Sequence, residues 1–288
     1  MSPLFGRLPP VVRGAFWMIV AGVCYSLMSA LIRQGSAALP AFEMMLARNM
    51  IAFAVLSPML FRHGLAVTKA TRPWLAGSLG VLQVVSNIAW FIAMASVPLG
   101  DATALGFITP LIVPGLAVLF LGEAVPLRRW LATLVGFGGA IIIIRPGFQT
   151  ITPGILLVLG SSFSYAAFVL VSRSLSADHH PSTIVFYTLA VSQPLALLLA
   201  LPVWQAPSWE GWLMLFAIGF CASGGQISAT YAYAAAEASL VMPFDFLKLP
   251  IAAAIAFAMF QELPDVWTWI GGVIVFAAGI YVARRESV

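Results

Sequence analysis

The sequence predicts an all-α integral membrane protein, and three observations lead to this fold class. Of the 288 residues, 61% are hydrophobic and only 8% are charged, whereas a soluble protein carries about 25% charged residues. Apolar runs close to the roughly 20 residues that cross a bilayer recur along the whole chain. The connections between them are short and rich in proline and glycine, so none is long enough for a soluble domain.

Ten apolar runs approach this length, and each predicts one transmembrane helix. They cover residues 14–33, 40–60, 74–95, 100–121, 127–145, 153–172, 183–201, 211–235, 238–261 and 266–284. The first run is too long for the apolar part of a cleaved signal peptide, which indicates a retained signal anchor. The formal net charge of +4 comes from few, scattered basic residues. This scatter indicates membrane topology and contact with the lipid bilayer, not a nucleic-acid partner.

The lysines and arginines between the runs predict the orientation of the chain. With a cytoplasmic N-terminus, only Arg33 and Arg145 fall on the outer side. The ten basic residues on the cytoplasmic side are Arg7, Arg13, Arg62, Lys69, Arg72, Arg128, Arg129, Arg173, Arg284 and Arg285. Cytoplasmic loops of membrane proteins carry such an excess of positive charge. We therefore expect a bacterial cytoplasmic (inner) membrane protein with both termini in the cytoplasm, as a monomer or homodimer.

An internal repeat with an offset of 139 to 140 residues divides the chain into two halves. The matched positions are Tyr25 with Tyr165, Arg33 with Arg173, Pro110 with Pro250, Glu123 with Glu262 and Trp130 with Trp269. The halves cover residues 14–146 and 153–285, and each holds five predicted helices. Because five is odd, the second half enters the membrane from the opposite side. The sequence therefore predicts two inverted five-helix repeats, an arrangement common among secondary transporters.

The pattern of proline, glycine-glutamate and tryptophan at the end of each half resembles the EamA family of the drug/metabolite transporter superfamily. It is carried by Pro110, Gly122, Glu123, Trp130 and Gly136 in the first half and by Pro250, Glu262, Trp269, Gly271 and Gly272 in the second. Within the family, the chain is most similar to the YddG-type amino-acid exporters. The resemblance covers about residues 15–285. It implies a central cavity between the first four helices of each half, with the fifth and tenth helices as outer scaffold.

One position departs from the symmetry of the repeat. Arg48 in the second predicted helix corresponds to Thr188 in the seventh. The two halves are therefore not chemically equivalent, and we expect the charge in the cavity to be unequal between them.

Asp245 and Lys248 interrupt an apolar run and form the first candidate substrate site. They lie three residues apart, so on a helix they share one face and can pair. Pro243 and Pro250 bracket them and predict a bent or open helix, which is tolerated in a membrane only inside protein or beside a cavity. The two charges bind the carboxylate and amino group of a substrate, or they form an internal salt bridge that neutralises both.

Arg48 and a polar stripe on the third predicted helix extend this candidate site. Arg48 lies roughly 12 Å into its helix at 1.5 Å per residue, which favours either recognition of a substrate carboxylate or an internal structural bridge. Gln83, Asn87 and Trp90 fall at i, i+4 and i+7, on one helix face. Such a face lines a cavity or forms hydrogen bonds between helices.

Tyr25, Tyr165 and Gln226 complete the predicted substrate site. The two tyrosines lie mid-helix, so we expect them to hold a substrate side chain or to act as a gate, although tyrosines in membrane proteins are often interface anchors. Gln226 follows two glycines in the eighth predicted helix. We also expect the fourth and ninth helices to bend at four prolines. These are Pro110, Pro114, Pro243 and Pro250.

The sequence contains no enzyme signature, no metal-ligand spacing and no nucleotide-binding or other cofactor motif. A membrane enzyme is therefore disfavoured. The resemblance and the charges of both signs favour export of small metabolites by alternating access, with amino acids, including aromatic ones, as the expected cargo. The alternatives are an exporter of drugs, purines or sugar derivatives, and a non-transporting scaffold, which would not need charges at membrane depth.

Overall fold

A computed structural model describes residues 9–63, 71–121, 127–145, 151–176, 179, 181–235, 244–245 and 247–284. Eleven α-helices have defined bounds within these residues. They are α1 Pro10–Gly35, α2 Ala41–His63, α3 Pro73–Met94, α4 Leu99–Gly106, α5 Thr109–Leu121, α6 Leu127–Ile144, α7 Pro153–Ser176, α8 Pro181–Ala200, α9 Trp209–Ala235, α10 Lys248–Phe260 and α11 Val266–Arg284. A 3₁₀ turn, Leu201–Val203, follows α8.

The apolar character of these helices confirms the prediction of an all-helical membrane protein. Six stretches among the described residues are long and apolar enough to cross a bilayer. They are Pro10–Gly35, Pro73–Met94, Leu99–Phe120, Pro153–Ser172, Thr183–Val203 and Trp209–Ala232. Shorter apolar stretches lie in α6, α10 and α11. The count of ten crossings, the location of the termini and the oligomeric state stay predictions.

The fourth predicted helix is two helices, because the chain leaves the helical path between α4 and α5. Phe107 and Ile108 form a turn at this point, and Pro110 is the second residue of α5. The repeat-related position behaves similarly, since Leu247 lies in a turn and Pro250 is the third residue of α10. Proline is tolerated in the first turn of a helix, where its missing N–H has no partner to lose.

This placement corrects the expectation of bends at the prolines themselves. The break lies two to three residues before the proline in each half, and each proline lies in the first turn of the helix that follows the break. Pro114 lies within the continuous helix α5. Pro243 lies outside the described residues.

The helices pack with a two-fold pseudosymmetry that exchanges the two halves. Helix α1 packs along α9, and its repeat counterpart α7 packs along α3. In the same way α2 contacts α9 as α8 contacts α3, and α1 contacts α10 as α7 contacts α5. The pairs α2 with α8 and α6 with α11 join counterparts directly. The halves are therefore interlocked, as expected for the inverted repeats that the sequence predicts.

Two glycines allow the same close helix contact in both halves. A Cβ on Gly80 of α3 would lie 2.5 Å from the Cβ of Val191 in α8. A Cβ on Gly219 of α9 would lie 2.8 Å from the Cβ of Ile51 in α2. The four residues are related by the repeat offset, 139 for the glycines and 140 for their partners. Small residues let the backbones of membrane helices approach closely, which is the main source of attraction between them.

Helices α6 and α11 meet through backbone at a glycine crossing. A Cβ on Gly139 would lie 2.8 Å from the carbonyl oxygen of Gly271, and a Cβ on Gly271 would lie 2.5 Å from that of Gly139. Rearranging the neighbouring side chains cannot remove both obstructions, because a main-chain carbonyl oxygen is among the nearest atoms on each side. Gly138, one residue earlier, has open space at its Cβ.

We expect Gly139→Ala to destabilise the protein by about 1–3 kcal/mol, because the new methyl group forces α6 and α11 apart. The melting temperature of the detergent-solubilised protein measures the effect. Gly138→Ala is the matched control and is expected to leave the melting temperature unchanged or to raise it, since alanine favours helix over glycine. Equal losses in both variants would refute the interpretation of this crossing.

Candidate functional site

The salt bridge between Asp245 and Lys248 lies at the break that precedes α10. The Nζ of Lys248 lies 2.5 Å from Oδ1 of Asp245, and both side chains are partly buried. Asp245 is in a helical turn, Leu247 is in the turn that interrupts it, and Lys248 is the first residue of α10. The sequence therefore placed both charges correctly on one face, and the structure shows that they neutralise each other.

Tyr25 of α1 connects this salt bridge to α9. The ammonium of Lys248 lies 5.0 Å from the centre of the Tyr25 ring, a geometry that stabilises the cation by the ring's negative face. The Tyr25 hydroxyl donates a hydrogen bond of 3.2 Å to Oε1 of Gln226. Three elements thus meet at one aromatic ring.

Two glycines make room for this arrangement. A Cβ on Gly225 would lie 2.9–3.0 Å from carbons of the Tyr25 ring, and a Cβ on Gly22 would lie 3.3 Å from Cγ of Lys248. Gly225 therefore supports the aromatic ring rather than serving as a hinge. Gly22 admits the aliphatic part of the lysine side chain.

Arg48 of α2 faces the same region. It lies near Tyr25 and Tyr165, and its Nη1 donates a long hydrogen bond of 3.4 Å to Oδ1 of Asn49. Among the residues that the structure describes, no acidic side chain pairs with Arg48, and its Nε is buried without a hydrogen-bond partner. The internal structural bridge is therefore absent from the described part of the chain.

Tyr165 of α7 differs from its repeat counterpart. It stacks on Phe168, with ring centres 5.8 Å apart and planes inclined by 13°. Its side chain is 44% accessible. The two repeat-related tyrosines therefore differ in their contacts, because Tyr25 lies against Lys248 and Tyr165 stacks on Phe168.

The polar stripe of α3 lies beside α1. Nε2 of Gln83 donates a 3.2 Å hydrogen bond to Oδ1 of Asn87, and Nε1 of Trp90 donates a 3.4 Å hydrogen bond to Oγ of Ser29. Ser29 is one helical turn after Tyr25, so the stripe adjoins the region around that tyrosine. The Nδ2 of Asn87 is buried and, within the described ranges, has no partner.

We refer to Tyr25, Arg48, Tyr165, Gln226, Asp245 and Lys248 as the central cluster. Helices α1, α2, α7 and α9 and the start of α10 contribute to it. The hydrogen bond, the salt bridge and the ring contact described above join Tyr25, Gln226, Asp245 and Lys248, and Arg48 and Tyr165 lie near them. The substrate role of these residues stays a prediction.

Sequence reasoning missed a second set of polar contacts, at the rim where α1, α6 and α10 end. Arg33 forms a bidentate salt bridge with Glu262, and Arg145 lies 2.5 Å from Asp265. The other two contacts are hydrogen bonds. The Thr268 hydroxyl donates to the Asp101 carboxylate, and the backbone N–H of Gln205 donates to the Glu43 carboxylate. We refer to these residues as the ion-paired rim. Every one of these four contacts joins the first half to the second.

Glu262 and Asp265 lie between α10 and α11, and both carboxylates bind arginines. The repeat contained a signal for one pair. Arg33 and Glu262 recur as Arg173 and Glu123, so charges of opposite sign are kept at matched positions.

Comparison with known proteins identifies the fold and the family. The profile of the EamA-like transporter family matches residues 12–145 and again residues 152–284, which confirms the resemblance to that family. A riboflavin transporter of Vibrio cholerae is 34% identical over 281 residues, 96% of this chain and 94% of that protein. The pseudopaline exporter CntI of Pseudomonas aeruginosa is 32% identical over 278 residues, 95% of this chain and 97% of that one.

A solved crystal structure has the same fold. It matches with a TM-score of 0.62 and 17% sequence identity, and the match covers 97% of this chain and 99% of the other. The two relatives above are named for riboflavin and pseudopaline, so the narrower similarity to amino-acid exporters is not supported by them.

We expect Lys248→Met to destabilise the protein by about 1–3 kcal/mol, because it leaves the Asp245 carboxylate partly buried without its counter-ion. Asp245→Asn is expected to cost a similar amount, since it leaves the ammonium of Lys248 unpaired. The double variant should be less destabilised than the sum of the two, since neither charge then remains. Melting temperatures of the four proteins complete the cycle. Additive losses would show that the two side chains do not stabilise each other.

Proposed function

This chain belongs to the EamA-like transporter family and is a secondary transporter of small metabolites rather than an enzyme; on this premise we propose that its cargo is a planar, acceptor-rich metabolite of the riboflavin type. The similarity to a riboflavin transporter, which extends over nearly the full length of both chains, supports the proposal. The multi-pass membrane location is common to the family.

One observation supports this cargo above all. Three donor nitrogens, Nε of Arg48 and Nδ2 of Asn49 and of Asn87, are buried, and none of the three has a partner in the described part of the chain. A buried donor without a partner costs about 1–3 kcal/mol. Carbonyl oxygens and ring nitrogens of an isoalloxazine-type ring are acceptors, and such a cargo would satisfy these donors as it enters.

Aromatic side chains close to these donors favour a flat molecule. Tyr25 and Tyr165 both lie near Arg48. Trp90 follows Asn87 by one helical turn. Aromatic rings bind flat ligands through stacked or edge-to-face contacts with centres about 4.5–7 Å apart. The combination of donors and rings recognises an unsaturated heterocycle by its edge and by its faces.

Amino acids, including aromatic ones, are the second candidate cargo. The observation that favours them is the Asp245–Lys248 pair, which places charges of both signs in the central cluster. The carboxylate of a zwitterion can bind Lys248 or Arg48 while its amino group binds Asp245. Against this candidate, the two charges already neutralise each other.

The proposed mechanism is alternating access in the cytoplasmic membrane, with export as the direction. The interlocked pairs α1 with α9 and α7 with α3 form two pseudosymmetric bundles that can rock about the central cluster. The breaks before α5 and α10 provide points at which the fourth and ninth segments change direction. The family's secondary transporters use no nucleotide hydrolysis, so movement is downhill or coupled to an ion.

Exchange in proteoliposomes tests the cargo. Purified protein is reconstituted into vesicles preloaded with unlabelled riboflavin or with unlabelled amino acids, and entry of the labelled compound is followed. Riboflavin exchange without amino-acid exchange would support the first proposal, and the reverse would favour the second. Exchange of neither compound would overturn both cargo assignments.

We expect Arg48→Gln to weaken the apparent affinity for the exchanged cargo by roughly ten- to a hundredfold, since a hydrogen bond from a charged donor contributes about 1.5–3 kcal/mol. The concentration dependence of exchange measures this change. Arg72→Gln is the matched control, because Arg72 is an exposed residue that precedes α3, away from the central cluster. An unchanged affinity in Arg48→Gln would exclude Arg48 from the cargo site.

A further inference from the structure

We propose that the salt bridge between Arg33 and Glu262 is a latch that holds the ion-paired rim closed. The latch must open before the central cluster becomes accessible from that side. The inference goes beyond the choice of cargo, and it rests on the position and the surroundings of this one pair.

The pair spans the boundary between the two halves. Arg33 lies in the last turn of α1, in the first half, and Glu262 follows α10, in the second. Both nitrogens Nη1 and Nη2 of Arg33 donate to the two carboxylate oxygens of Glu262. This bidentate geometry is the strongest form of an arginine–carboxylate contact. The two helices are those that also carry Tyr25 and Lys248, so a change at the rim is transmitted along α1 and α10 to the central cluster.

The contact is partly shielded from water. The side chains of Arg33 and Glu262 are 18% and 34% accessible, and the guanidinium of Arg33 lies 4.6 Å from the centre of the Phe260 ring. Partial burial and the aromatic ring make this ion pair more stabilising than a solvated surface salt bridge. Breaking it therefore shifts an equilibrium between a closed and an open rim.

The backbone beside the latch is strained. Gln261 caps α10 in the left-handed conformation, with φ of 57°, which costs a non-glycine residue energy. The amide of Glu262 then bonds back to the carbonyl of Ala256, and the carboxylate points to Arg33. The repeat counterpart of Gln261 is Gly122, the residue type that adopts this conformation freely. The two backbone hydrogen bonds of this helix terminus hold the conformation and direct the Glu262 side chain towards Arg33.

The neighbouring salt bridge between Arg145 and Asp265 differs in a decisive respect. It joins the end of α6 to the start of α11, and those helices already meet backbone to backbone at Gly139 and Gly271. Removing it therefore does not release a moving boundary. This pair provides the control for the latch.

The test measures from which side a cysteine in the central cluster can be labelled. Cys24 and Cys221 are replaced by serine, and Gln226→Cys provides the reporter, since Gln226 is accessible and contacts Tyr25. A membrane-impermeant maleimide is added to oriented vesicles from one side or the other, without cargo. The labelling is therefore independent of whether the cargo proposal is correct.

Arg33→Gln and Glu262→Gln are expected to increase labelling from the ion-paired rim by about fivefold or more, because either change removes the differential stabilisation of the closed state. Asp265→Asn should leave the labelling unchanged. The exchange of charges, Arg33→Glu with Glu262→Arg, should restore low labelling from that rim, which also guards against a single variant that fails to fold.

Unchanged labelling in Arg33→Gln and Glu262→Gln, or failure of the charge exchange to restore low labelling, would overturn the latch. A similar increase in Asp265→Asn would overturn it as well, since any loss of charge at the rim would then suffice.

Discussion

Polar groups within these helices must find their partners inside the protein, because lipid offers none, and the rest of the structure follows from this constraint. At the ion-paired rim, arginines and carboxylates from different halves satisfy each other. At the start of α10, Asp245 and Lys248 do so within one turn. The Nε of Arg48 and the Nδ2 atoms of Asn49 and Asn87 lack partners among the described residues. In the proposed function these unpaired donors bind the cargo, since fully paired donors would leave it no hydrogen bonds to form.

The second organising feature is the repetition of one packing scheme in both halves. The contacts of Gly80 with Val191 and of Gly219 with Ile51 are the same contact made twice. Such equivalence means that α3 with α8 and α9 with α2 are packed by the same contact. The asymmetry resides in the side chains of the centre: Arg48 against Thr188, and Tyr25 beside a lysine against Tyr165 beside a phenylalanine.

The contact between α6 and α11 differs in kind from the contact between α1 and α10. Helices α6 and α11 approach at their glycines so closely that main-chain atoms touch, and such an interface does not slide easily. Helices α1 and α10 instead meet near the centre through Gly22 and Lys248, and near the rim through Arg33 and Glu262. The latter are polar contacts that can break and re-form.

Much of the candidate site could be predicted from the sequence, because charges and mid-helix tyrosines are unusual in apolar runs. Asp245 and Lys248 share a face through helical spacing alone. The depth of Arg48 in α2 indicates a functional or structural role from the sequence alone. Its lack of an acidic partner among the described residues is apparent only from the tertiary structure. The partner of Glu262, Arg33, lies 229 positions away in the sequence. Nothing local indicates such a pairing, although the repeat did keep both charges.

The membrane class, the family and the two-fold repeat follow from the linear chain, because apolar length, motif residues and the internal offset can be read directly from it. The prolines also indicate to within a few residues where the breaks near Pro110 and Pro250 fall, since proline acts on the backbone next to it. The pairing of side chains depends instead on how the helices pack, as in the contacts of Tyr25 with Lys248 and Gln226 and of Arg33 with Glu262. Those contacts depend on how helices far apart in sequence are oriented against each other, and helical periodicity does not specify that orientation.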